Sequence, residues 1–162
     1  MENKSEMHLL ETENIGDIFG LLEILEDLGK PVDIATLDDS LDEERTTLLN
    51  LLNDAEALGL VNVADGDVSL TGDGSVFLKS DLTERKVILH RLLSRIEPFS
   101  SIINILKNAE DGTIEKDELD EFLESNFPSD DPENTFRVLL NWGRYSKLFD
   151  YDMDDETLIY IP

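Results

Sequence analysis

Carboxylates are the reactive groups this chain holds in quantity, and two stretches space them as metal ligands are spaced. In "NAEDGTIEKDELDEFLESNF", Gly112, Ile114 and Glu118 fall where a calcium-binding EF-hand loop has its turn glycine, its apolar anchor and its closing carboxylate. The earlier ligand positions fail. Lys107 and Ala109 stand where the first and third ligands belong, and only Asp111 fits. The expectation is a connection between helices that turns at a glycine. In "DYDMDDE", Asp150, Asp152 and Asp154 alternate, a spacing that can hold a divalent cation loosely. Neither a turn glycine nor a closing glutamate follows, so a solvated hairpin tip is expected, and no metal site anywhere.

Nucleophiles and phosphate cradles are equally thin. The chain has no Cys, which removes disulfides, thiolate metal sites and thiol nucleophiles. His8 and His90 are the only histidines, and spacing places no Ser or Asp partner beside either. "GDGSVF" at 72–77 puts two glycines ahead of a helix, but Asp73 would repel phosphate and no Lys opens the helix. No "GxxxxGK[ST]" occurs. Glycosidase-type chemistry needs a cleft and one buried carboxyl, and the pattern points to none. We expect no catalysis and no cofactor.

What remains is recognition, and "NWGRYSKLF" at 141–149 is its best candidate. On a helix, Trp142, Tyr145 and Phe149 share one face. Such rings can fill a core. Alternatively, Trp142, Arg144 and Tyr145 form a partner-binding spot, since Trp, Tyr and Arg dominate interface hot spots. Cations gather nearby. Arg137, Arg144 and Lys147 lie on this same segment, and Lys79, Arg85, Lys86, Arg91 and Arg95 lie around an earlier helix. A DNA-reading helix needs polar side chains for base edges and cations for phosphates. The corresponding helix of the first half, whose only cation is Arg45, fails that test, and the second-half segment meets it weakly.

The elements that must position these residues follow from periodicity. Ile15, Ile18, Phe19, Leu22, Leu25 and Leu28 recur at helical spacing behind Asn14, with Gly29 and Pro31 as a stop. A short helix in "DIATLDDSL" precedes a third, "EERTTLLNLLNDAEALG", with Asp42 as its cap and Gly59 as its end. Asp65-Gly66 between alternating residues predicts a hairpin, and Thr71 caps the next helix. Three helices and a hairpin make a winged helix. A longer helix follows, capped by Asp81 and ended by Pro98, with Leu82, Leu89 and Ile96 at heptad spacing that would suit a dimer contact or packing between domains. The second half repeats the order: "FSSIINILKNAEDG", "EKDELDEFLESNFP", then a helix over "DPENTFRVLLNWGRYSKLF" with Asp131 and Pro132 at its start, then an acidic hairpin. The expected fold is mostly α with small β-hairpins. Its parts are a flexible tail (1–13), a winged-helix-like unit (14–80), a connecting helix (81–98) and a second such unit (99–162).

Charge bounds the partners. The chain carries 38 Asp and Glu against 13 Lys and Arg, a net charge of -25. Such a field repels phosphate backbones and anionic lipid. It suits a salt-rich cytoplasm of the halophilic archaeal kind, where self-repulsion is screened. No apolar run reaches the length of a membrane span, and the N-terminus has no signal-peptide core. A cytoplasmic protein without membrane insertion is expected.

Four stretches together resemble a known family: "GLLEILEDLGKPVDIATL", "LLNDAEALGLVNVADGDVSLTGDGSVFLKSD", "ERKVILHRLL" and "LLNWGRYSKLFDYD". They are similar to the AAA-associated C-terminal domain, the region that follows the ATPase domain in nitrate/sulfonate/taurine-type ABC transporter ATP-binding subunits. The resemblance runs from about residue 15 to residue 160, and Trp142, Gly143, Arg144 and Tyr145 match its most recognisable motif. It implies a pair of winged-helix-like units that regulate or bind, without catalytic residues. No ATPase domain is present, so ATP binding is not expected, and the initiator Met and tail suggest a free-standing chain. The expected function is a non-catalytic regulatory or protein-interaction module whose partner is an ABC transporter ATPase or permease component. A DNA-binding transcription regulator is the alternative.

Overall fold

The computed structural model of the chain describes residues 9–41, 45–129 and 131–162. Asp42 and His8 lie outside them. The chain divides into two compact units, Leu10–Arg85 and a second built from Lys86–Pro162. Among the described residues are eight helices and two three-stranded antiparallel sheets, a mostly α fold with small hairpins as expected.

In the first unit, α1 (Ile15–Leu28) starts where the Asn14 side chain accepts from the Gly16 amide, and buries Ile18, Leu21, Leu22 and Leu25. Strand β1 (Val32–Asp33), α2 (Ile34–Leu41) and α3 (Arg45–Ala57) follow. Then β2 (Val61–Ala64) and β3 (Asp67–Leu70) form the hairpin predicted at Asp65-Gly66. Helix α4 (Gly72–Lys79) is capped by the Thr71 hydroxyl, which accepts from the Gly74 amide. The sheet order is β1-β3-β2, with Val32 opposite Val68. Leu37, Leu48, Leu51, Leu60 and Phe77 close the core with α1.

Residues 10–12 depart from the loose tail expected of them. Leu10 and Thr12 are buried. The fully buried Asp54 carboxylate on α3 accepts from the Glu11 and Thr12 amides, at 3.0 and 2.7 Å, and from the Thr12 hydroxyl. A buried carboxylate needs such donors, and the polar residues of the segment supply them.

Helix α5 (Leu82–Leu93) opens on a capping box: Asp81 accepts from the Glu84 amide at 2.8 Å and Glu84 from the Asp81 amide at 3.1 Å. The division between units falls inside this helix, between Arg85 and Lys86. The second unit continues with α6 (Phe99–Asn108), β4 (Thr113–Glu115), α7 (Lys116–Asn126), α8 (Pro132–Tyr145), β5 (Phe149–Asp152) and β6 (Thr157–Tyr160), in sheet order β4-β6-β5. Asp131 caps α8 through the Asn134 amide, with Pro132 next, as the sequence predicts. Trp142, Phe149, Phe99, Leu119, Leu106 and Leu158 sit in its core.

Each unit thus repeats helix, strand, helix, helix and hairpin, the expected three helices and hairpin with a strand added after the first helix, and the hydrogen bonds repeat too. At the end of α3 the Gly59 amide reaches the Glu56 carbonyl and the Leu60 amide reaches that of Ala55; at the end of α8 the Lys147 amide reaches Arg144 and the Leu148 amide reaches Gly143. Both are Schellman turns around a left-handed residue, Gly59 at φ 80° and Lys147 at φ 61°. The first residue of each second helix also donates into its hairpin: Ile34 to the Gly66 carbonyl, Lys116 to that of Glu156.

Two expectations need correcting. The helix predicted through Phe149 ends at Tyr145, because the turn at Lys147 reverses the chain into β5. Phe149 therefore approaches α8, at Gly143, from a strand. Each sheet also has a third strand beyond its hairpin, β1 and β4, at two and three residues too short to show an alternating pattern.

Candidate functional site

The stretch at 141–149 is built inward first. Trp142 has no exposed surface, so it serves as core and cannot touch a partner directly. Gly143 beside it is required by packing. A Cβ there would collide with three atoms of the Phe149 ring, the farthest of them at 2.7 Å. The helix and β5 approach this closely only because position 143 has no side chain. Ser146, also buried, returns its hydroxyl to the Trp142 carbonyl at 2.8 Å.

Two residues of α5 finish this end of α8. His90 Nδ1 lies 3.1 Å from the Ser146 carbonyl, which can only accept, so that nitrogen carries the proton. Lys86 Nζ sits 5.1 Å from the centre of the half-buried Tyr145 ring. Lys86, part of the basic cluster of the sequence, and His90, to which spacing gave no partner, thus both reach the candidate stretch. Arg85 is used similarly in the first unit: it donates to the Phe77 and Leu78 carbonyls at 3.2 and 2.9 Å and lies over the Phe19 and Phe77 rings.

Outward, the stretch is polar. Arg144 is exposed and its Nε lies 3.2 Å from Asp150 Oδ1. Arg137 and Asn141 are exposed on the same face of α8, two turns and one turn earlier, and Lys147 is exposed just beyond it. Of the three candidate residues, then, Arg144 and part of Tyr145 reach the surface while Trp142 supports them from behind.

The surroundings are acidic. Helix α7 exposes Asp117, Glu118, Glu121 and Glu124, and the turn after β5 exposes Asp154, Asp155 and Glu156. Lys116, at the start of α7, pairs with Asp120 at 2.9 Å and Glu133 at 3.7 Å and lies over the Phe136 ring. The Asp120 hydrogen bond raises its pKa. Tyr151, edge-on to Phe136 at 5.5 Å, is pushed up by burial and then by Glu156.

The carboxylate stretches singled out as ligand-like are engaged locally. Asp111 accepts from the Thr113 hydroxyl and amide, which lowers its pKa. Glu118 stands in the first turn of α7. Asp150 faces Arg144, and Asp152 accepts from the Asp154 and Asp155 amides. The heptad line of α5 is not one exposed stripe: Leu82 is 63% exposed, Leu89 is 1% exposed, and Ile96 lies beyond the helix. No described helix is long and apolar enough to cross a membrane.

A groove of about 270 Å³ opens between α7 and the start of α8, with Leu123, Phe127 and Pro132 among its walls and Asp120 and Glu124 at its rim. Another, of about 440 Å³, lies in the first unit beside Lys30, Thr71 and Ser75. The second joins residues some forty positions apart, which spacing alone does not bring together.

No curated protein and no solved structure matches this chain. The sequence model of the C-terminal AAA-associated domain matches residues 35–152. That span runs from α2 to the end of β5 and takes in both the Schellman turns and the whole of "NWGRYSKLF". With well over half of the chain matched, and with the motif residues placed as core, close approach and surface of one turn, the chain belongs to the C-terminal AAA-associated domain family.

Proposed function

We propose that this chain is a regulatory, protein-binding module without catalytic activity of its own, a pair of winged-helix-like units that acts in the cytoplasm on an ATPase or permease component of an ABC transporter. The observation that carries the reading is the family match over residues 35–152, a domain whose name records association with AAA proteins.

The DNA-binding reading draws on one observation, the exposed Arg137, Asn141 and Arg144 of α8. It is opposed by the acids exposed on α7 and on the hairpin turn, the elements next to α8 in the unit. Self-association along α5 draws only on Leu82 and Val87, each 63% exposed.

Affinity capture of the tagged chain from its own cells at native salt, with bound proteins identified by mass spectrometry, tests the reading. Recovery of an ABC-type ATPase or permease is expected. Recovery of DNA with no transporter component would overturn it.

A further inference from the structure

We propose that the outward face of α8, marked by Arg137, Asn141 and Arg144, docks an acidic segment of a partner protein. The inference rests on the protein-binding reading and names the chemistry of the partner.

The first ground is the charge of the face itself. Beyond its first turn, the exposed residues of α8 are Arg137, Asn141 and Arg144, followed past the helix by Lys147. No carboxylate is among them, in a chain where carboxylates outnumber cations 38 to 13.

The second ground is the other unit. When the Schellman turns are superposed in register, Leu49, Asn53 and Glu56 of α3 correspond to Arg137, Asn141 and Arg144. All three are exposed as well. The same architecture therefore folds with a neutral or acidic stripe at these positions. The two arginines are not a demand of the fold.

The third ground is the weakness of what Arg144 holds now. Its side chain is 51% exposed and that of Asp150 is 56% exposed. An ion pair so open to water is weak, and Arg144 exchanges it for a partner's carboxylate at little cost. Arginine suits the task because its planar fork binds a carboxylate through two parallel hydrogen bonds.

Width then selects the occupant. Both α7 and β5 pack against α8. A duplex whose groove receives α8 would run its phosphates past these neighbours, since the preceding helix of such a unit crosses the backbone. Here that helix exposes Asp117, Glu118, Glu121 and Glu124, and the hairpin turn exposes Asp154, Asp155 and Glu156. A broad polyanion is repelled on both sides. A single helix or strand needs no such breadth, provided it carries carboxylates about 10 Å apart, the rise from Arg137 to Arg144 along the helix.

The absence of native Cys allows a direct test, because one introduced Cys takes a photo-crosslinker at a single place. The Asn141→Cys chain, labelled and irradiated in extract of its own cells at native salt, is expected to attach to a peptide rich in Asp and Glu. The Asn53→Cys chain, labelled at the matching place on α3, is not. Adding Arg137→Glu and Arg144→Glu to Asn141→Cys should lower the yield about tenfold or more, with unchanged circular dichroism, and the milder Arg137→Gln and Arg144→Gln should lower it in the same sense. Attachment to DNA, to a peptide without carboxylates, to nothing, or equally from both positions would overturn the proposal. An ATPase attached through some other surface would sink this docking face and leave the ATPase reading standing. An acidic peptide from a protein unrelated to transport would do the reverse.

Discussion

A methyl group has no room at position 143. The Phe149 ring occupies the volume into which a Cβ would project, and both residues are fully enclosed. The corresponding pair in the first unit is Ala55 and Val61, one carbon more on the helix and a smaller side chain on the strand. Each unit fills the same gap with a different division of volume. Gly143→Ala alone should therefore lower stability by about 1–3 kcal/mol through overpacking. Phe149→Val alone should lower it by about 2 kcal/mol or more through the cavity left behind. Together they should cost clearly less than the sum, and denaturant unfolding of the four proteins measures that coupling. Additive losses would show that the two positions do not share one volume. The sequence displayed Gly143 between Trp142 and Arg144 but not the reason for it, because a close approach depends on where the chain returns, and the return at Lys147 breaks helical periodicity without a glycine.

Two exposed aspartates predict an acid limb in the stability curve. Asp33 accepts from the Thr36 side chain and amide, and Asp111 from those of Thr113, and both pKa values are lowered from the ordinary 3.8. A carboxyl whose pKa is lower folded than unfolded contributes stability that is fully present above its ordinary value and is lost as pH falls through the folded value. Replacing both by Asn should flatten the dependence of unfolding free energy on pH below about pH 4. An unchanged slope would mean that other carboxyls set it.

At the scale of elements, caps and turn residues were the most legible features. Asn14, Thr71, Asp81 and Asp131 all cap the helices that spacing assigned to them. The hairpin at Asp65-Gly66 was legible because a left-handed turn flanked by alternating residues leaves few alternatives. The short strands β1 and β4 were not, since their partners lie far along the chain. Nor was the docking of residues 10–12 on Asp54, which joins residues 42 and 43 positions apart. Asp54 marks the place in α3 that Trp142 fills in α8, so one helix position holds a clamp in one unit and a ring in the other. Asp54→Ala strands the amides it bonded and should cost about 2–3 kcal/mol. It should also expose the chain at Glu11 and Glu13 to a glutamate-specific protease at native temperature. Unchanged cleavage would show that the segment is held by something else.

For the whole molecule, charge bears on stability. A net charge of -25 on 162 residues opposes compaction at low salt. The screening length falls from about 10 Å at 0.1 M to about 3 Å at 1 M. The melting temperature should accordingly rise as KCl is added over that range, and a flat or falling curve would show that local ion pairs outweigh the net repulsion. Composition conveyed this much directly. It could not convey that the exposed face of α8 beyond its first turn carries Arg137 and Arg144 and no acid while α7 and the hairpin turn expose acids, because that depends on which side of each element meets solvent.

The most direct test of the account titrates the fluorescently labelled chain with the purified ABC-type ATPase subunit from the same cells, and separately with a duplex of about 20 base pairs, across a range of KCl concentrations. The account predicts saturable binding of the ATPase that persists at native salt and no saturable binding of the duplex. Tight duplex binding that weakens steeply with salt, with no response to the ATPase, would contradict it.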